Sequence, residues 1–194
     1  MTQVASNPWC NGRRRLAALA VLLGLILNGC NSQKPPIYEN KQGFRFTPPP
    51  GWVQRASDDA LPSTSGHREP NLPLPHLSGE RLLVRYDRLT AGYLAWLRVT
   101  LAELSPSTPL KTCVCTRLPR TNWKRESDVE TLEVSGLPAA RVAFVGRWSN
   151  QDYLSETVAV RQEERVYFIT ASFPASDSIA REQVRHAVAS AAWH

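Results

Sequence analysis

Residues 140–173 read ARVAFVGRWSNQDYLSETVAVRQEERVYFITASF, and this stretch decides the fold. Ala140, Val142 and Phe144 alternate with Arg141, Ala143 and Val145, the two-residue period of a strand. Residues 148–152 read as a turn, 153–161 as a second strand, 162–164 as another turn and 165–173 as a third strand. Connections this short force antiparallel pairing, because a parallel return needs a crossover of about a dozen residues or more. The third strand is apolar on both faces, so both faces of the sheet need cover.

Downstream, Pro174 ends that strand, and Asp177 or Ser178 can cap a C-terminal helix. Its Ala180, Val184, Ala187, Val188 and Ala191 form one apolar stripe. Upstream, residues 131–134 read as a short strand, and Gly136-Leu137-Pro138 turns the chain. Residues 110–117 are a candidate strand carrying Cys113 and Cys115. Thr90 can cap a helix to about Leu104, because Leu94, Leu97, Leu101 and Leu104 recur at spacings of three and four. Leu82, Val84 and Tyr86 alternate with Leu83, Arg85 and Asp87 as a half-buried strand. Residues 56–80 contain four prolines and two glycines without periodicity; they read as a long inserted loop, a kind that is uncommon inside compact domains. Residues 43–47 alternate like a strand, Pro48-Pro49-Pro50-Gly51 stops it, and Trp52 opens another short segment. Strands, a helix, hairpin-linked strands and a final helix predict an α+β fold, an antiparallel sheet with helices packed on it.

The N-terminal residues have a different character. Arg13, Arg14 and Arg15 precede the apolar run 16–27 (LAALAVLLGLIL). A membrane-crossing helix needs roughly 20 apolar residues, whereas a run of this length fits a signal-peptide core. Leu27-Asn28-Gly29-Cys30 resembles the lipobox of bacterial lipoproteins, Asn28 being the one departure from the favoured small residues. The resemblance implies cleavage before Cys30, a diacylglycerol on its thiol and a further acyl chain on its amine. Two or more acyl chains make such attachment effectively permanent. Residues 1–29 are then a signal peptide, and residues 30–42, with Pro35-Pro36, are the lipidated cysteine and a tether. Asn31 is not the inner-membrane-retaining Asp of the enterobacterial pattern, which points to the outer membrane, facing the periplasm.

Cleavage changes the charge argument. It leaves 165 of 194 residues, and removing three arginines from 23 basic residues leaves 20 against 17 acidic ones. The formal charge falls from +6 to +3, so the basicity of the whole chain is no argument for nucleic-acid binding.

Gly43-Phe44-Arg45-Phe46 with Pro50-Gly51-Trp52 resembles the opening of PsbP-like domains. Gly136-Leu137-Pro138-Ala139, the run Val166-Tyr167-Phe168-Ile169-Thr170-Ala171, Pro174 and the terminal amphipathic helix resemble their close. The resemblance brackets residues 43–194, with 56–80 as an insertion, and implies an α-β-α sandwich. Its members include an extrinsic photosystem subunit, a Ran-binding import factor and DcrB-type envelope lipoproteins. They share no reaction but do share docking onto larger assemblies, and the resemblance carries no catalytic, cofactor or metal residue onto this chain.

Among chemical features, Cys113-Val114-Cys115 is the sharpest. In a strand the two thiols share a face with Cα atoms roughly 6.6 Å apart, at the edge of disulfide geometry. Lys111 and Arg117 on that face would lower their pKa. That motivates a thiol-redox or metal-handling reading beside the plainer one of two small packed residues. His67, Glu69 and His76 lack a scaffold for a metal, and His186 and His194 lack motif partners. Asp58-Asp59 and Glu163-Glu164 read as solvated charges. No G-x-S-x-G, phosphate loop, H-E-x-x-H or C-x-x-C occurs. Trp52, Trp96, Trp123 and Trp148 read as core or cleft aromatics. Trp123 lies in a polar stretch with Arg120, Lys124 and Arg125, where exposure would suit a membrane face or an anionic partner. The expectation is a non-catalytic, cofactor-free binding or accessory module of an envelope complex, anchored by Cys30. Its alternatives are thiol chemistry at Cys113 and Cys115, or small-molecule binding in a cleft beside residues 56–80.

Overall fold

A computed structural model of the protein describes residues 37–55, 79–90, 93–117, 122–148 and 150–194. Cys30, the loop residues Asp58, Asp59, His67, Glu69 and His76, and Arg120 lie outside the described residues. The compact unit containing the described residues spans Pro36–His194.

Eleven strands and two helices are described: β1 (Tyr38–Glu39), β2 (Phe44–Phe46), β3 (Val53–Arg55), β4 (Arg81–Thr90), β5 (Tyr93–Glu103), α1 (Leu110–Cys115), β6 (Lys124–Arg125), β7 (Glu130–Val134), β8 (Leu137–Trp148), β9 (Gln151–Gln162), β10 (Arg165–Pro174), α2 (Ser178–Ala189) and β11 (Ala192–Trp193). The main sheet runs β3-β4-β5-β10-β9-β8-β6, with β7 also on β8, and every pair is antiparallel. The hairpins expected from residues 140–173 are β8–β9 and β9–β10. Their reversals use Asn150 and Glu163 at φ 64° and 58°, conformations that Asn tolerates well. A small sheet, β1-β2-β11, joins the two ends of this unit. Tyr38 and Glu39, expected in the tether, pair instead with Phe46 and Arg45.

β10 is buried on both faces, as its composition predicts, so the molecule has two apolar layers. One lies beneath α2, where Leu97, Val99, Leu154, Val158, Tyr167, Ile169 and Phe173 meet Ala180, Val184, Ala187 and Val188. Phe44 extends it by packing on Tyr167 at 5.2 Å between centroids. The other lies beneath α1, where Ala140, Val142, Phe144, Ala159 and Phe168 meet Cys113, Val114 and Trp123. Helices thus cover an antiparallel sheet from both sides, the α+β arrangement expected.

Two elements differ from expectation. The helix expected from Thr90 to Leu104 is strand β5, paired with β4 and β10. Its Leu97, Val99 and Leu101 enter one layer while Trp96 and Ala102 enter the other. Apolar residues of both parities then mimic a helical stripe. The strand expected over 110–117 is the short helix α1, with Pro109 at its N-cap and extended backbone there (φ −66°, ψ 134°). Proline is pre-organised for a helix start, and six residues are too few to display a helical period.

Candidate functional site

Helix α2 is fixed at its start and leaves one flank of the sheet open. Asp177 accepts from Ala180 N at 2.9 Å as an N-cap, an interaction whose loss costs about 1 kcal/mol. The Asp177 carboxylate also pairs with Arg88. Trp52 Nε1 donates to Gln183 Oε1 at 2.8 Å, tying the second turn of the helix to the segment after β2. The apolar stripe of α2 faces the sheet, so Arg181 and Arg185, four residues apart, share a flank of the helix.

That flank faces a cleft. Its floor is the β8–β9 pair, where Ala143 opposes Glu156 and Arg141 opposes Val158. Its far wall is β7 with residues 126–129. Two half-open cavities occupy it. The smaller, about 290 Å³, is lined by Leu132, Val134, Val158 and Val188 together with Arg141, Glu156 and Arg185. The larger, about 480 Å³, is lined by Glu126, Asp128, Glu130 and Arg181 together with the same Arg141, Glu156 and Arg185. These three shared residues mark the junction.

Glu156 is the unusual group there. Its side chain is 6% exposed, and its nearest counter-charge is Arg141 at 3.6 Å, too long for a hydrogen bond. It accepts no hydrogen bond from any described residue. Burial pushes its carboxyl above the usual carboxylate range, opposed by Arg141, Arg185 and Arg181 and assisted by Glu126. Arg141 is held more tightly by Glu130, at 2.5 Å, and Arg181 meets Glu126 at 3.5 Å. Arg185 has no ion-pair partner among the described residues. A buried carboxyl that accepts no hydrogen bond from a described residue and the exposed guanidinium of Arg185 therefore line the same two cavities, beside an apolar recess. Such convergence of a few polar groups on an apolar cavity is what binding sites require.

The residues singled out from sequence fall elsewhere. Cys113 and Cys115 lie on α1, not on a strand, so about 100° per residue turns them to nearly opposite sides. Cys113 is buried, and its thiol is pushed up by burial against the opposing pull of Arg161 and Arg117. Cys115 is half-buried, and Arg125 Nη2 donates to its sulfur at 3.7 Å. The shared face with Lys111 and Arg117 is not formed: Arg117 turns inward, fully buried on Glu80.

Trp123 is likewise not a surface contact; it is 4% exposed. Its neighbours Lys124 and Arg125 pair as β6 with Val145 and Phe144, which sets the indole over Gly146. A Cβ at Gly146 would lie 2.3 Å from the indole ring. Trp52 and Trp96 are core residues. His186 is exposed and meets Glu182 at 3.0 Å, His194 donates its backbone N–H to Gly43 O at 3.1 Å, and Glu163 and Glu164 are exposed. No group of three or more metal-ligating side chains occurs among the described residues. Sequence reasoning missed the Glu156 cleft, although a glutamate among the apolar and hydroxyl residues of 153–160 was its visible signal.

No family model matches the sequence, and no curated protein does. Solved structures do match. The cyanobacterial PsbP (CyanoP) of Synechocystis sp. PCC 6803 superposes with a TM-score of 0.53 over 82% of this chain and 92% of its own, at 14% identity. The fold is PsbP-like. A protein of Bacteroides thetaiotaomicron VPI-5482 matches 81% of this chain with a TM-score of 0.52 at 7% identity. The chain spans about half of that protein's length, 48%. At such identities the PsbP-like architecture is shared and nothing about activity follows.

Proposed function

We propose that the chain is a lipid-anchored envelope protein, cut before Cys30, whose PsbP-like domain is a non-catalytic binding module. The cleft beside α2 is its binding surface. One observation carries this reading: Glu156, buried and accepting no hydrogen bond from any described residue, lines both cavities together with the exposed Arg185, which has no ion pair among the described residues. A buried carboxylate that accepts no hydrogen bond from the protein and opens onto a cavity leaves its oxygens to a ligand's donors. The lipobox-like Leu27-Asn28-Gly29-Cys30 supports the anchor, and Asn31 favours the outer membrane.

The test is a crosslinking pulldown of the native protein from detergent-solubilised membranes, beside Cys30→Ser and Arg185→Glu forms, with intact mass measured on each. Acyl mass on the native chain but not on Cys30→Ser is expected, with a reproducible partner that Arg185→Glu loses. Absence of acyl mass would remove the anchor. A partner retained by Arg185→Glu would remove the cleft as its docking surface.

A further inference from the structure

Glu156 and Arg185, which line both cavities, are complementary in charge and hydrogen bonding. A carboxylate that is 6% exposed and accepts no hydrogen bond from the described residues suits a group bringing several N–H donors and positive charge. The exposed Arg185 guanidinium, with no ion pair among the described residues, can bind a planar anion through paired N–H donors. The remaining charges argue against simpler ligands. Arg141 and Arg181 are already engaged by Glu130 and Glu126, so a purely anionic ligand gains one arginine and meets Glu156. A purely cationic ligand gains Glu156 and meets Arg185. The smaller cavity leads away from this junction along Leu132, Val134, Val158 and Val188, a lining suited to an aliphatic group.

We infer that the cleft binds a zwitterionic, amino-acid-like ligand with an apolar side chain, its ammonium on Glu156, its carboxylate on Arg185 and its side chain in the smaller cavity. This deepens the proposed function and rests on the cleft being the binding surface. The volume of about 290 Å³ holds a branched aliphatic side chain, and the larger cavity of about 480 Å³ leaves room for extension to a short peptide. Arg141 and Arg181 act as positioning residues, fastening the far wall of the cleft to its floor and to α2.

The test is isothermal titration of the detergent-solubilised full chain at pH 7 with L-leucine, N-acetyl-L-leucine and L-leucinamide. L-leucine is expected to bind at one site, and each blocked compound at least tenfold more weakly. Glu156→Gln is expected to weaken L-leucine at least tenfold and leave N-acetyl-L-leucine unchanged. Arg185→Gln is expected to weaken L-leucine equally and leave L-leucinamide unchanged. Both variants keep the thermal midpoint of the parent to within a few degrees if the loss belongs to the site. Absence of L-leucine binding, or equal binding of all three compounds, overturns the inference. Partner capture sensitive to Arg185→Glu without L-leucine binding would sink the ligand class alone; L-leucine binding with partner capture indifferent to the cleft would sink the docking role alone.

Discussion

Among the described residues, two buried glutamates face arginines, and they are satisfied to very different degrees. Glu80 receives Arg117 Nη1 on both oxygens, at 2.9 and 2.8 Å, and the Thr100 hydroxyl as well. Both charged side chains of that pair are 1% exposed, and the Arg117 guanidinium lies 3.8 Å from the centroid of Phe168. Glu156 has a single arginine at 3.6 Å, itself 33% exposed and shared with Glu130. A buried charge with a dense donor set is part of the framework, since desolvation is offset only by good geometry and further hydrogen bonds. Glu156 lacks such a donor set within the protein, and both cavities open beside it.

The largest expected effect tests the closed pair. Arg117→Ala leaves Glu80 buried without its counter-charge and should lower the unfolding free energy by about 3–5 kcal/mol, read as a fall in denaturant midpoint. A loss below about 1 kcal/mol would erase the distinction between the two glutamates. At the open site the sign reverses. Glu156→Gln should raise stability at pH 8 by about 1 kcal/mol, the scale of one unsatisfied buried polar group. That gain should depend on pH. Below the ordinary carboxylate range, folded and unfolded chains both carry the proton and Glu156 contributes nothing. As pH rises through that range the unfolded chain ionises first, because burial holds the folded carboxyl higher, so native stability falls. A gain as large at pH 3.5 as at pH 8 would assign the effect to packing instead. The smallest effect belongs to Arg185→Ala, which should change stability by no more than about 0.5 kcal/mol while removing ligand binding at the cleft.

Where the sequence was legible, local period and tertiary burial agreed. The β8–β10 meander, the Asp177 cap and the stripe of α2 all follow from alternation, short turns and a single apolar face. Where it was not, the two conflicted. Burial of β5 on both sides placed Leu94 and Leu97 on opposite faces, and their spacing passed for a helical repeat. The aromatic and β-branched Tyr93, Trp96, Val99 and Thr100 were the contrary signal. Helix α1 is too short to declare a period, and Cys, Val and Thr in it favour a strand locally. The cleft was less legible still. Arg141, Glu156 and Arg185 lie on three elements, and only the register of β8 on β9 and the placement of α2 bring them together. Glu156 alone was visible, as a charge inside a buried strand. Trp123 is core, one of the two readings open to it; its neighbours in the chain are polar and suggested the surface, whereas Gly146, its neighbour in space, is a break in an otherwise side-chain-rich strand.

The fit of that indole over Gly146 has an evolutionary consequence. No side chain can be added at position 146 while the ring remains at 123, because the new Cβ would stand 2.3 Å from it. Nor can the ring be lost without opening a void over the glycine. In chains descended from a common ancestor with this one, the two positions are therefore bound to change together or not at all. A glycine-tryptophan pair exchanged jointly for a larger and a smaller residue would be the signature of that constraint.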